Sequence, residues 1–194
     1  MSSNNESLEN KELMIKSYPL VHKTLKDLRF DIGYFIVGNI KVSETFHAPI
    51  LLNCNSTEKL AGESIEIIIL NENSFLMIDE ETSEERTYNF DEEFIFHDSK
   101  MSVSINTNFQ FDTEMELPKS VIKFYNLKYL TQSYQKKINI SQKDRESTVL
   151  NISILSEDQL KGVTFLNHLT YNYIQKEIEE KNIASNNTVK FIND

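Results

Sequence analysis

Apolar residues recur at roughly helical spacing along the start of the chain, from Leu8 to Leu28. Pro19 cannot lie deep inside a continuous helix, because it lacks an N–H donor and its ring clashes with the preceding turn. The pattern therefore predicts two helices or one broken helix, with Ser17 capping the second and Pro19 in its first turn. The aromatic and β-branched run at 31–38 predicts a strand.

Helical periodicity disappears between residues 45 and 118, where short apolar runs alternate with polar turns. Residues 65–70 and 74–78 predict two strands of a hairpin. Further strands are expected near 86–90, 94–96 and 101–107. Strands with only short links cannot form parallel crossovers, so this block predicts an antiparallel sandwich or a small barrel.

After Pro118 the pattern predicts a strand at 121–125, an amphipathic helix at 127–137 and strands at 138–141 and 148–154. The last of these strands alternates strictly. Its alternation places Leu150, Ile152 and Ile154 on the face expected to lie against the core, and Val149, Asn151 and Ser153 on the other face.

A long C-terminal helix is predicted from residue 157 onward. Ser156 followed by acidic residues and Gln159 is typical of a helix start. Apolar residues at steps of three and four, the spacing of a helix that packs on a sheet, are Leu160, Val163, Leu166, Leu169, Tyr173 and Ile174. The later half is sparsely apolar, and its residues Ile178, Ile183, Val189 and Phe191 form a candidate self-association surface. A frayed, solvated tail is the alternative.

These elements predict an α+β fold in which a mixed sheet is flanked by the N-terminal helices and the long C-terminal helix. Residues 1–44 and 119–194 would form this domain, and residues 45–118 would form an inserted antiparallel β-rich module.

Composition narrows the function further. With 194 residues and 39% hydrophobic content the chain can bury a core, and its net charge of -10 disfavours nucleic acid and anionic lipid as partners. No apolar run is long enough to span a membrane, although a loop cut from between two spans would show the same pattern. The single cysteine, Cys54, cannot form an internal disulfide and is expected to be a small buried hydrophobe.

Few residues are candidates for catalysis or for binding a metal or a ligand. The acidic residues at 79–85 and 91–93 lack the spacing of a calcium loop and are expected to form solvated hairpin ends. The four histidines are far apart in sequence, and no serine has a nucleophile-elbow pattern. We therefore nominate no catalytic, metal-binding or cofactor-binding residue. Tyr88, Tyr125 and Tyr129 could contact a glycan, although most aromatic residues are expected in the core.

Several spaced segments resemble one known family. They are residues 12–28, Tyr34 to Lys41, Tyr134 to Lys137, Ser147 to Ser153, Phe165 to Asn167, Tyr173 and 179–192. The sequence resembles the extracytoplasmic region of polysaccharide co-polymerases, the chain-length-determinant family of Gram-negative bacteria. The form in Bacteroidetes, where two membrane spans flank this region and a cytoplasmic tyrosine kinase follows, is the most similar. The resemblance covers roughly 60% of the chain, and it departs from the family at 158–162, where proline and alanine are usual.

The resemblance implies a non-catalytic periplasmic portion of an inner-membrane protein that forms homo-oligomers and regulates the chain length or export of capsular polysaccharide or exopolysaccharide. The implied partners are the polysaccharide polymerase or export machinery and the glycan itself. Contact with the membrane would be made only through spans missing from this chain, and no G-x-x-x-x-G-K pattern for nucleotide chemistry occurs. The alternative function is a surface or secreted glycan-binding β-module, which would be a monomer with a sugar pocket in the middle block.

Overall fold

The computed structural model describes residues 2–38, 41–109, 119–142 and 149–193, with side chains described between residues 8 and 186 of these ranges. The helices are α1 (Ser2–Ile15), α2 (Tyr18–Asp27), α3 (Leu127–Lys137) and α4 (Gln159–Asn193). The strands are β1 (Ile32–Val37), β2 (Val42–Thr45), β3 (Ile50–Cys54), β4 (Ser64–Ile69), β5 (Ser74–Asp79), β6 (Glu85–Asn89), β7 (Phe94–Phe96), β8 (Ser99–Ile105), β9 (Lys119–Phe124), β10 (Ile138–Gln142) and β11 (Leu150–Ile154). The predicted α+β class is confirmed, but the predicted mixed sheet is not formed, because each described strand pair is antiparallel.

The chain divides into two compact units, one formed by residues 1–28 with 131–194 and the other by residues 29–130. The second unit is a β-sandwich. Its six-stranded sheet has the order β2-β1-β9-β4-β5-β6, and its three-stranded sheet has the order β3-β8-β7. One buried cluster joins Ile65, Ile67 and Phe75 of the larger sheet to Ile50 and Met101 of the smaller one. The two sheets of this unit therefore share one buried core.

The boundaries of the β-rich unit differ from the predicted 45–118. Strand β9 lies between β1 and β4 and is hydrogen-bonded to both, so β1 and β9 belong to the six-stranded sheet. The predicted boundaries therefore fall inside a sheet. The short strands β2 and β3 were not anticipated from the sequence, whereas the β4–β5 hairpin was.

The first unit contains a two-stranded sheet of its own, in which Ile140 of β10 is paired with Ile152 of β11. The predicted alternation of β11 is confirmed, because Leu150, Ile152 and Ile154 are partly buried and the residues between them are exposed. Helix α4 contacts β11 at Gly162, where an added Cβ atom would lie 3.6 Å from Cγ2 of Ile154 and 3.0 Å from the Cβ atom of Ser156 just beyond the strand.

The first residues of α2 and of α4 are fixed by local features of the sequence. Pro19 lies in the first turn of α2 as predicted, and Ser17 is the extended N-cap residue, but its buried hydroxyl makes no hydrogen bond within the described residues. The cap of α4 is Asp158 instead of Ser156. The Asp158 carboxylate accepts a hydrogen bond from the backbone N–H of Lys161 at 2.9 Å. This is the N3 position that a capping side chain normally reaches, so α4 begins two residues later than predicted.

Across the described helices, no segment is both long enough and apolar enough to cross a membrane.

Candidate association surface

Helix α4 has a buried face that fixes it within the first unit. Phe165 and Leu169 are completely buried, and the Phe165 ring lies 4.7 Å from the ring of Tyr134 on α3. Asn172 continues this face one turn further on and is also buried. These residues are three or four positions apart, so they lie on one side of the helix.

A polar network joins this face to α2. The side-chain amide of Asn172 donates to Thr24 Oγ1 at 3.2 Å and to Asp27 Oδ2 at 3.1 Å. Lys23 Nζ lies 2.5 Å from Asp27 Oδ2 and donates to Asn172 Oδ1 at 3.1 Å. His168 Nε2 is 3.2 Å from the same Asp27 oxygen. Sequence reasoning missed this network, because its members are nearly 150 residues apart and no local pattern connects them.

Asp27 is the centre of that network. Burial alone would raise the pKa of its carboxyl group, but hydrogen bonds from Lys23, Asn172 and His168 outweigh burial and hold the pKa below the ordinary value of 3.8. Asp27 is therefore a carboxylate at neutral pH, and its charge helps to fix α4 against α2.

The opposite side of α4 carries an exposed apolar stripe, which we call the outer stripe. Its members are Leu160, Val163, Tyr171, Ile174 and Ile178, and each is between 47% and 56% exposed. Isolated exposed apolar residues are common, but five of them lie along one side of this helix, which makes the outer stripe a candidate interaction surface.

The spacing of the outer stripe makes it straight. Asn167 occupies the gap between Val163 and Tyr171, so successive positions are three or four residues apart over five turns of helix. Their average separation matches the roughly 3.6 residues of one helical turn. The stripe therefore runs parallel to the helix axis and offers a flat seam for a second helix.

Two of the predicted association residues, Ile178 and Ile183, lie on different sides of α4. Ile178 lies on the outer stripe, whereas Ile183 is exposed but lies about 140° away around the helix axis. Val189 and Phe191 belong to α4, and their side chains lie outside the described residues.

The prediction of which face of the early half of α4 is buried was wrong. Leu160, Val163 and Ile174 were expected to face a sheet, but they are exposed on the outer stripe. The face that is buried includes Phe165 and Asn172. The signal in the sequence was that Phe165 and Leu169 lie about half a turn from the outer stripe, because one neighbouring surface can cover only one of these two sides of the helix.

The C-terminal part of α4 has little tertiary support. From Ile178 to residue 186 every described side chain is exposed. Local contacts occur one turn earlier, where the Tyr173 hydroxyl donates to Glu177. Burial and this neighbouring carboxylate raise the pKa of Tyr173, so its hydroxyl remains a proton donor.

The other residues considered for chemistry have structural surroundings. Among the described residues, no group of three or more potential ligands is arranged to hold a metal ion. Asp79 closes the β5–β6 turn by accepting hydrogen bonds from the backbone N–H groups of Glu81 and Thr82 and from the Thr82 hydroxyl. Cys54 is half-buried and its thiol donates to the Ser56 carbonyl, while burial raises the pKa of the thiol. A raised thiol pKa disfavours a nucleophilic role.

Tyr125 and Tyr129 are not brought together with Tyr88 in one site. Tyr125 packs on Gly33 of β1, and Tyr129 is exposed on α3. Tyr88 lies on β6, with its ring stacked on Phe94 at 4.2 Å.

In comparisons with known proteins, no family model matches the chain, and no curated protein matches it significantly.

Proposed function

We propose that this chain is a non-catalytic extracytoplasmic domain of an inner-membrane polysaccharide co-polymerase, located in the periplasm. In this role it self-associates and regulates the chain length or export of capsular polysaccharide or exopolysaccharide. The sequence resemblance supports the family. The observation that carries self-association is the outer stripe of α4.

A second copy of this chain is the occupant that suits the outer stripe. The residues directly beside the stripe include Thr164, Thr170 and Gln175, which are polar but uncharged, and Glu177 near its C-terminal end. Over most of its length the seam is therefore flanked by uncharged side chains, which limits the repulsion that a net charge of -10 would otherwise cause. Asn167 in the middle of the seam can pair with a polar group of the other copy and fix the register of the two helices.

The test uses the membrane-anchored protein, because anchoring supplies the effective concentration that a weak helix pair needs. Ile174→Glu combined with Ile178→Glu places charges in the seam. We expect this variant to lose chemical crosslinking between protomers and to produce glycan of altered chain length. The melting temperature of the isolated chain should change little, since both side chains are about half exposed.

Ile183→Glu is the matched control, because Ile183 is exposed on the same helix but lies off the outer stripe. It should leave crosslinking and chain length unchanged. Persistence of the assembly in the double variant, or equal loss in the control, would show that the outer stripe is not the association surface. If the double variant loses crosslinking between protomers but still produces glycan of unchanged chain length, the regulatory role is refuted.

A further inference from the structure

The β-sandwich contains a cavity of about 280 Å³ beside the β5–β6 turn, between β6 and the β7–β8 hairpin. Its apolar part is formed by Met77 and Phe96, both buried, and by Ile95, which is 70% exposed at the rim. The volume is slightly below the usual range for pockets that hold drug-sized molecules, so it suits one small ring.

The β6 side of the cavity carries an arranged set of polar groups. Arg86 donates to the Glu84 carboxylate at 2.8 Å and is also hydrogen-bonded to the Tyr88 hydroxyl. Arg86 and Tyr88 of β6 and Glu84 just before it all line the cavity, and alternation along the strand puts Thr87 on the opposite face. Donors and an acceptor are thus held side by side on a strand.

The opposite side is formed by His97, whose position is fixed by its turn. His97 and Asp98 have φ angles of 42° and 61°, the two positive values of a tight hairpin turn that matches the strand twist. The His97 ring is stacked on Phe96, with centroids 4.2 Å apart and planes 9° from parallel. Its Nε2 atom lies 3.7 Å from Asp79 Oδ2. The imidazole is therefore held in place before any ligand arrives.

The charged groups of the cavity already have partners, because Arg86 is paired with Glu84 and the Asp79 carboxylate accepts hydrogen bonds within the β5–β6 turn. A charged ligand would disturb these pairs, whereas a neutral polyol could share them. A sugar ring has hydroxyl groups at its edge for Arg86 and Glu84, and C–H faces for Ile95 and the His97 ring.

We infer that this cavity binds one neutral monosaccharide unit of a glycan. The inference rests on the proposed function, in which a glycan is a partner, and adds the place and chemistry of the contact. Its test is independent of self-association, because binding is measured on the isolated chain.

The isotope-labelled chain is titrated with glucose, galactose, mannose, N-acetylglucosamine and glucuronic acid, and backbone amide shifts are followed by NMR. At least one neutral sugar should shift the amides of residues 84–88 and 95–98 in a saturable way. Arg86→Gln should weaken that binding roughly tenfold or more, because it removes a charged hydrogen-bond donor. Thr87→Gln is the matched control and should bind as the wild type does.

The inference is overturned if no neutral sugar shifts these amides at tens of millimolar (about the weakest affinity that such a titration resolves). Shifts confined to another surface, or tighter binding of glucuronic acid than of every neutral sugar, would overturn it equally. If Arg86→Gln fails to fold, Tyr88→Phe removes one partner of Arg86 while keeping the ring stack on Phe94, and unchanged affinity in that folded variant would count against the site. If the wild-type chain binds no neutral sugar while the anchored protein still assembles through the outer stripe, this cavity alone is refuted. If the wild-type chain binds a neutral sugar here but the outer stripe proves not to be the association surface, self-association alone is refuted.

Discussion

Asp27 shows how one residue can hold two distant helices together. Its carboxylate is shared by Lys23 on its own helix and by His168 and Asn172 on α4. The amide of Asn172 also reaches Thr24, so each polar group on this buried face has a partner. A carboxylate that several donors share is more stabilising than a single exposed ion pair, because each additional charge-assisted hydrogen bond holds it in place.

Replacing Asp27 with Asn should therefore lower stability in a pH-dependent manner. The folded-state pKa of Asp27 is depressed, so its contribution is present above the ordinary value of 3.8 and is lost as the pH falls through the folded pKa. We expect Asp27→Asn to reduce the free energy of unfolding by about 1 kcal/mol at neutral pH. The difference from wild type should shrink toward zero near pH 3 or below (roughly where a carboxyl with a depressed pKa becomes protonated).

Urea unfolding at several pH values measures this difference. Lys26→Gln on the same helix is a suitable control, since Lys26 is exposed and has no contact with the network in the described residues. A difference between Asp27→Asn and wild type that stays constant with pH would show that the carboxylate charge is not the source of the stability.

At the scale of elements, strands were easier to predict than helix faces. The β11 residues alternate with period two, and a half-buried strand has only one way to place Leu150, Ile152 and Ile154 together. Helix α4 instead has two apolar rows, and spacing alone gives no reason to choose between them. The choice was made by contacts from other parts of the chain, such as Thr24 with Asn172 and Tyr134 with Phe165.

The short edge strands β2 and β3 were not predicted from the sequence, for a related reason. β2 and β3 are four and five residues long. β2 has no buried residue, so its sequence carries no alternation toward a core. Its pairing with β1 supplies the backbone hydrogen bonds that define it. The cavity residues likewise could not be predicted from the sequence, because Arg86 and His97 line one cavity only after their two hairpins have formed.

The register of β11 gives a direct test at this scale. Ile152 is partly buried and paired with Ile140, so Ile152→Asp should destabilise the chain by about 2–4 kcal/mol through lost apolar contact and a poorly solvated charge. Ser153 is exposed, and Ser153→Asp should change stability by no more than about 0.5 kcal/mol. Thermal unfolding of both variants measures the contrast, and equal losses would contradict the observed register.

At the scale of the whole molecule, the main buried cluster belongs to one unit. Each of its members, from Ile32 to Phe124, lies within residues 29–130. β9 is essential to this arrangement because it joins the β2–β1 pair to β4, β5 and β6. Ile122 and Phe124 on β9 are also part of the buried cluster. A fragment that lacks β9 loses a central strand, two core side chains and the backbone partners of β4.

These features predict different behaviour for two fragments of the β-rich region. Residues 29–130 expressed alone should give a β-type circular dichroism spectrum and a cooperative thermal transition, because the fragment keeps both sheets and the buried cluster. Residues 45–118 should show no cooperative transition, since removing β1 and β9 exposes one edge of β4 and opens the core. A cooperative melt of residues 45–118 would place the unit boundary where the sequence pattern put it, and an unfolded 29–130 fragment would mean that the sandwich depends on the helical unit for its stability.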